Sequence, residues 1–445
     1  MVGKANFTNL SRYSGLSDRT YRRHFSQFFD FGRFNQAALA LASGKEPELI
    51  AVTDCTFVGK SGRATYGLDW FYNGSASRPE RGLEWSVIAV VDIAQNTGYT
   101  LIAEQTPPRP LPKVVSSAIS AEAETEAPTA VDAAAPAEVV SPDTAALPPK
   151  PKTKVRITTA QLETARSALS ALADRSASPL KTTRIDFYLT QLAKIRHLLP
   201  DALQYLVADG FYAKFKFVEG VMAQNLHLIG KLRVDADLQY LFTGPQKPRG
   251  APRKYAGKVQ FDDLNALAHV GSLDDDAELY TAVVWHRSLK RQIRIALIVN
   301  TQKSGQSGYA LLFSTDLGLD ARKIVQYYKA RFQIEFIFRD AKQFMGLCDA
   351  QTRDQKRLDF HFNAALSALN WVKCAHFQDL NANIIDPESA QAPPQPEPFS
   401  MASYKRVALN QHLLELFIEK LDLDPTLIKS HPNYSNLCKY GVITG

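Results

Sequence analysis

Two aspartates close short apolar runs in this chain. Asp54 stands in Glu48-Leu-Ile-Ala-Val-Thr-Asp54-Cys-Thr-Phe57, and Asp209 ends Tyr205-Leu-Val-Ala-Asp209, followed at once by Gly210. A third carboxylate, Glu335, lies far downstream in Tyr328-Lys-Ala-Arg331-Phe-Gln-Ile-Glu335-Phe-Ile-Phe-Arg339-Asp340-Ala-Lys342. On a helix advancing about 100° per residue, Tyr328, Arg331, Glu335 and Lys342 fall within one stripe about 60° wide. Phe332, Phe336, Ile337 and Phe338 spread over the remaining circumference. A polar stripe on a helix that is apolar elsewhere must face a partner or a cleft. The plainer reading is a surface helix with ion pairs such as Arg331 with Glu335.

The elements that must position these residues alternate along the chain. Up to about Ala42 the pattern is helical. Gly15 breaks a first helix, Ser17 can cap a second, and Tyr21 and Phe25 supply an i, i+4 apolar face. This punctuation suits a helix-turn-helix with Arg19, Arg22 and Arg23 on its outer side, or a helical hairpin packed on the main domain. Strands are predicted over Glu48–Phe57, Trp85–Asp92 and Tyr99–Ala103, forming an antiparallel meander. The Gly59–Gly82 connection, rich in Gly, Arg and Lys, reads as a loop. From about Gln105 to Lys154 the chain is dominated by Ala, Pro, Val, Ser, Thr and Glu, with no aromatic residue. Such a stretch cannot bury enough apolar surface to offset its ordering entropy, and a flexible insert is expected. Helices around Thr158–Ala173 and Thr183–Leu199 follow. Tyr205–Asp209, a helix near Ala213–Gln224 and Leu226–Gly230 then make a β-α-β pattern. A β-rich stretch leads to one long helix over Leu319–Phe344, then helices over Phe360–Phe377 and Leu409–Leu423.

The chain has 445 residues, 45% hydrophobic, with 52 Lys plus Arg against 45 Asp plus Glu, a balance of +7. The apolar fraction excludes a wholly disordered chain. No apolar run reaches the roughly 18 to 20 residues of a membrane helix, so a cytoplasmic protein is expected. The four cysteines form no C-x-x-C pair, which argues against a local zinc site or a disulfide framework. The positive charge gathers between Lys231 and Lys258, including Arg253 and Lys254, and over Trp285–Arg294. Basic loops on a β-platform suit phosphate backbones, although a solvated face gives the same pattern.

Thr53-Asp54-Cys-Thr, Val207-Ala-Asp209-Gly-Phe-Tyr and the Y-x2-R-x3-E-x6-K helix together resemble a DDE transposase of the bacterial insertion-sequence type bearing the YREK signature. The similarity covers about residues 45 to 375, the low-complexity insert excluded. It implies an α/β, RNase H-like fold: a mixed sheet flanked by helices, with Asp54 on its first strand and Asp209 on its fourth. That sheet would be interrupted by the insert and by a β-rich insertion, between helical N- and C-terminal regions. The expected organisation is a helical N-terminal region (1–44), a catalytic domain in three parts (45–104, 155–231 and 316–378), the flexible insert (105–154), a basic β-rich insertion (232–315) and a helical, dimer-forming C-terminal region (379–445).

By the same resemblance, Asp54, Asp209 and Glu335 are the catalytic residues and the ligands of two Mg²⁺ or Mn²⁺ ions. Phosphoryl transfer on DNA uses such a pair, and hard cations prefer carboxylate and water oxygens. Tyr328, Arg331 and Lys342 would hold the transposon end, with Arg253, Lys254, Arg19 and Arg22 as further DNA contacts. Trp285 could meet a flipped base, although a core strand Trp is the plainer reading. The implied reaction is cut-and-paste transposition: nicking at terminal inverted repeats, a hairpin intermediate and joining to target DNA by a homodimer. A domesticated DNA-binding protein and another RNase H-like nuclease are the alternatives; the presence of all three carboxylates counts against the first of these.

Overall fold

The computed structural model describes residues 3–43, 47–108, 183–261, 263–274, 276–301, 307–384 and 399–442. The Ala/Pro-rich insert expected over 105–154 therefore lies, from residue 109 on, outside the described residues. So does the helix expected over Thr158–Ala173.

The chain starts with the anticipated helix pair, α1 (Phe7–Arg12) and α2 (Asp18–His24). The Ser17 side chain accepts from the Thr20 amide and starts the second helix. Tyr21 and Phe25 do face inward: both rings lie against Phe7, and Phe25 meets Phe360 at 5.4 Å. Helix α3 (Phe31–Ala42) follows and leads into β1 (Leu49–Gly59).

Strand β1 pairs antiparallel with β3 (Arg78–Asp92), and β3 pairs antiparallel with β4 (Thr97–Gln105), which is the predicted meander. The connection after Gly59 is not all loop. It contains a further strand, β2 (Asp69–Asn73), which continues the outer edge of β3 beyond the end of β4. The other side of β1 takes β5 (Tyr205–Val207) in parallel, and β5 takes β6 (His227–Leu232) in parallel. The crossover between them carries α5 (Phe215–Met222); α4 (Arg184–Ile195) precedes β5.

The core order β4-β3-β1-β5-β6, three antiparallel strands and then two parallel to the first, is an RNase H-like sheet. Six more strands extend it from β6: β7 (Leu238–Leu241), β8 (Tyr255–Lys258), β9 (Ala268–Asp274), β10 (Ala277–His286), β11 (Arg291–Thr301) and β12 (Ser307–Ser314). Strand β12 pairs with β6, so the basic β-rich stretch continues the same twelve-stranded sheet.

Helices cover both faces. One apolar core packs α3, α4 and α5 against Ala51, Ile88 and Leu206. The other packs α6 (Ala321–Ala330), α7 (Gln333–Phe344) and α8 (Gln355–Ile384) against Val52, Trp85 and Val207. In that second core the Trp85 ring stacks on Phe362 at 4.1 Å. The chain then forms α9 (Met401–Lys420), α10 (Pro425–Ser430) and α11 (Pro432–Cys438). Among the described residues no helix is long and apolar enough to cross a membrane.

The edge strand β4 is closed by side chains. Asn363 on α8 accepts from the Ala103 amide (2.9 Å) and donates to its carbonyl (3.0 Å). Seven residues on, Asn370 does the same at Thr100 (2.9 and 2.6 Å), and the Lys373 ammonium donates to the Gly98 carbonyl (2.7 Å). Seven helical residues rise about 10.5 Å and three strand residues about 10 Å, so helix and strand stay in step. This replaces the missing ladder of an exposed edge.

Candidate active site

Backbone register alone brings two of the carboxylates together. Val52 on β1 is paired with Val207 on the parallel neighbour β5, and Asp54 and Asp209 each lie two residues further on. Two residues is one full pleat, so both aspartates stand at the same height and on the same face, on chains roughly 4.8 Å apart. Strand β5 ends at Val207, and Asp209 keeps an extended backbone while capping a short 3₁₀ turn through the Phe211 amide (2.9 Å). It thus lies just past the fifth strand in chain order rather than on the fourth, because β2 intervenes.

The expected single helix over Leu319–Phe344 is two helices, α6 and α7, broken at Arg331 and Phe332. Through the break the amides of Phe332, Ile334 and Glu335 bond three residues back rather than four. Such a tightened turn advances the following residues around the axis, so a constant 100° step does not carry across it. Helix α7 lies close on the edge of the sheet at Gly98, where a Cβ would meet Gln333 and Ile337 side-chain carbons at 3.1 Å.

Arg331 occupies this turn and is 7% exposed. One end of its guanidinium bonds Asp54 Oδ2 at 3.1 Å, and the other bonds Glu335 Oε1 at 3.1 Å. Its plane lies against the rings of Tyr328 and Phe332, at 5.5 and 5.1 Å. Both terminal nitrogens are engaged, so in this arrangement Arg331 holds the carboxylates rather than offering itself to a phosphate.

Asp54 lies in a strongly perturbing environment. Burial pushes its carboxyl up to about 6; the Cys55 amide (2.8 Å) and Arg331 pull it down, while Asp209 and Glu335 push it up. Asp54 therefore feels both other carboxylates. Tyr328 belongs to the same cluster: burial raises its hydroxyl, with Arg331 opposing and both Asp209 and Asp54 adding to the rise. Lys342, seven residues from Glu335 and so about 10 Å along α7, stands apart. Burial lowers its ammonium, and the Cys348 thiol lies near it.

The charged groups near Cys348 also include Lys60, one residue past β1, whose ammonium donates to the Ala350 carbonyl. Lys60 was not among the expected site residues, although it opens the Gly-, Arg- and Lys-rich connection that follows the first aspartate. The other expected contacts are not gathered here. Trp285, half-buried with its ring 5.8 Å from that of Tyr255, sits on β10, five strand spacings or roughly 24 Å across the sheet from β1. Arg253 and Lys254 are exposed just before β8 at the far end, where Arg253 lies over the Phe242 ring. On α2, Arg19 is exposed. Arg22 is exposed too, ion-paired with Asp18, and with Lys4, Arg12 and Arg357 it lines a cleft of about 670 Å³.

Three carboxylates from separate elements are the right donors for hard divalent cations. Among the described residues, however, no group of three acidic, imidazole or thiol side chains stands close enough to hold a metal ion as it is. The physical reason is Arg331, whose positive charge lies between Asp54 and Glu335 where it neutralises both. The donor chemistry fits a divalent metal; the guanidinium is the group such a cation would have to replace.

Residues 178–371 match the family model described as the transposase DDE domain. The matched stretch includes Asp209, Tyr328, Arg331, Glu335 and Lys342, and begins after Asp54. No curated protein matches the chain.

Proposed function

We propose, from the match of residues 178–371 to the transposase DDE domain, that this chain cuts DNA at terminal inverted repeats and joins the freed ends to target DNA. The observation that carries this reading is the buried Arg331 bridging Asp54 and Glu335, with Asp209 placed beside Asp54 by the parallel pairing of Val52 with Val207. DDE transposases generally use divalent metal. Here Asp54, Asp209 and Glu335 would hold two Mg²⁺ or Mn²⁺ ions, which when bound supply an activated attacking oxygen and charge stabilisation at the leaving oxygen.

The chain's own residues supply the rest. Arg331 keeps Asp54 and Glu335 aligned before the ions bind. Tyr328, in the same cluster, can donate its hydroxyl to a phosphate, and Lys342 offers a point charge further along the strand being cut. The reaction we favour is cut-and-paste: a nick frees a 3′-hydroxyl, which attacks the opposite strand to give a hairpin, and the opened end later attacks target DNA. Two ends must be held at once, so the working form is a homodimer assembled on DNA where the chromosome is accessible.

The test is Mg²⁺-dependent cleavage of DNA carrying the inverted repeats that flank the reading frame. Asp54→Asn, Asp209→Asn and Glu335→Gln are each expected to lower the cleavage rate at least about 10³-fold, the scale of losing transition-state charge stabilisation. If all three variants cut at the parental rate, the site assignment is wrong.

A further inference from the structure

The hairpin formed by β2 and the first part of β3 has no part in the carboxylate cluster, yet its outer surface is unusual. Trp70 is 59% exposed and Tyr72 is 60% exposed, while Phe71 between them is fully buried. An indole and a phenol displayed side by side on one strand face leave two large π-surfaces in water. Phe71, by contrast, points the other way and carries Arg184 over its ring at 5.2 Å.

Register ties this face to the site. Asp54 is paired with Val87, and along β3 the residues on that same face are Trp85, Leu83 and Arg81. Arg81 is paired with Trp70, and Pro79 with Tyr72. Trp70, Tyr72 and Arg81 therefore continue the Asp54 face of the sheet, past the point where α7 and α8 cover it. Six residues of strand separate Val87 from Arg81, about 20 Å. At 3.4 Å per nucleotide step that is about six nucleotides.

Charge fills the interval. Lys60 stands level with Arg81, its amide bonded to the Arg81 carbonyl at 3.5 Å, and its ammonium donates to the Ala350 carbonyl. Arg81 and Arg63 are exposed and make no ion pair among the described residues. The hairpin's Glu80 lies on the opposite face, paired with Phe71 in register, and is taken up by Asn73 (2.7 Å) and Arg78 (2.8 Å). What remains on the Asp54 face is cationic and aromatic, the combination that tracks a single strand: cations for the backbone and rings for the bases.

Resting on the reading of the chain as a DNA-cutting enzyme, we infer that Trp70, Tyr72 and Arg81 grip an unpaired stretch of DNA about six nucleotides from the phosphate being cut. An indole stacks on a base only if the base face is free, so the occupant is a locally opened strand rather than closed duplex. The open outer edge of β2 would also accept a strand from a second copy of this chain, and the experiment separates the two.

Binding is measured by fluorescence anisotropy on the full chain without metal, using a labelled duplex of arbitrary sequence and the same duplex ending in an unpaired fork. The parent protein is expected to bind the fork more tightly. Trp70→Ala with Tyr72→Ala is expected to lose fork affinity about 10- to 100-fold, at low and high salt alike, and to keep duplex affinity within about twofold. Trp70→Phe, which preserves a stacking face, is expected to stay within a few-fold of the parent, separating lost stacking from lost folding. Arg81→Gln is expected to flatten the salt dependence by about one ion on the fork and to leave that of the closed duplex unchanged. Equal fork affinity in parent and double variant overturns the inference. So does a shift in the monomer–dimer balance by sedimentation with DNA affinity unchanged, which would assign the edge to a second copy. Because no cleavage is scored, loss of this inference and loss of the proposed activity are independent results.

Discussion

Replacing Arg331 by Met keeps a long apolar stem in the turn between α6 and α7 and removes only the charge between Asp54 and Glu335. Two unit charges about 4 Å apart at an effective dielectric of about 20 interact by about 4 kcal/mol. The Asp54 side chain retains 24% exposure, which screens part of this. The Glu335 side chain, at 45%, gains little from the pair. A loss of about 1.5 to 3 kcal/mol at Asp54 is the reasonable expectation, equivalent to about one to two pH units. The Asp54 carboxyl, already pushed up to about 6 by burial, by Asp209 and by Glu335, should therefore titrate at about 7 to 8 in the variant. The assay is ¹³C NMR titration of labelled aspartate carboxyls in metal-free protein, with Asp54→Asn identifying the resonance. The sign for stability follows. A carboxyl whose folded pKa lies above its unfolded value binds more protons when folded, so its contribution is full at acid pH and is lost as pH rises through the window. For the parent that window is roughly pH 4 to 6, and in Arg331→Met it extends through neutrality. Freed of the guanidinium, Asp54 and Glu335 should also make millimolar Mg²⁺ raise the melting temperature more in the variant than in the parent. An Asp54 carboxyl that moves by less than about half a unit would refute the reasoning, because the charge seen between the acids would then not control them.

Two further outcomes concern the closed edge of β4. Asn370→Leu strips Thr100 of the partner for both its amide and its carbonyl, and at about 1 to 3 kcal/mol per stranded buried group the loss should be about 3 kcal/mol in denaturant unfolding; a change below about 0.5 kcal/mol would mean the bonds are dispensable. Lys373 is buried, its ammonium lowered to about 8 by desolvation with Asp340 opposing. A lysine depressed in the folded state adds stability that is present above its unfolded pKa and lost as pH falls through the folded one. Between about pH 8 and 10.5 the parent should accordingly gain up to about 3 kcal/mol relative to Lys373→Met, and parallel pH profiles would disprove a titrating buried ammonium.

Asp54, Asp209, Glu335, Arg331 and Lys342 could be singled out in the sequence because residue type and short-range spacing mark them. Each strand or helix around them is local enough to announce itself in seven to ten residues. What could not be read is what depends on pairing at a distance. Nothing local in Val52 or Val207 says that they are partners, yet that single register decides that Asp54 and Asp209 are adjacent. The break at Arg331 was hidden because periodicity assumes four-residue hydrogen bonds throughout, and three amides there bond three residues back. Strand β2 was hidden for a different reason. Asp-Trp-Phe-Tyr-Asn is five residues long, sits at an edge and is embedded among glycines and arginines, so its composition speaks for a loop. Asn363 and Asn370 read as an ordinary polar face on α8; only the strand beside them makes them backbone partners.

The same edge bears on how this fold stays assembled when Asp54 lies so far in sequence from Asp209 and Glu335. Between Thr106, just past β4, and Thr183, at the start of α4, the chain runs through the Ala/Pro-rich stretch. Adding residues to a connection between fixed ends costs little, because the closure penalty grows only logarithmically with length. The link leaves from an edge strand and enters a helix on the sheet's face, so it interrupts no ladder. Five buried hydrogen bonds from Asn363, Asn370 and Lys373 then fasten β4, the last element before the link, to α8, which lies beyond it in sequence. At about 1 kcal/mol each they outweigh the closure cost. Strand β4 holds β3, β3 holds β1, and β1 carries Asp54 to its place beside Asp209. The asparagines of α8 are thus part of what keeps the first carboxylate of the site in register with the other two.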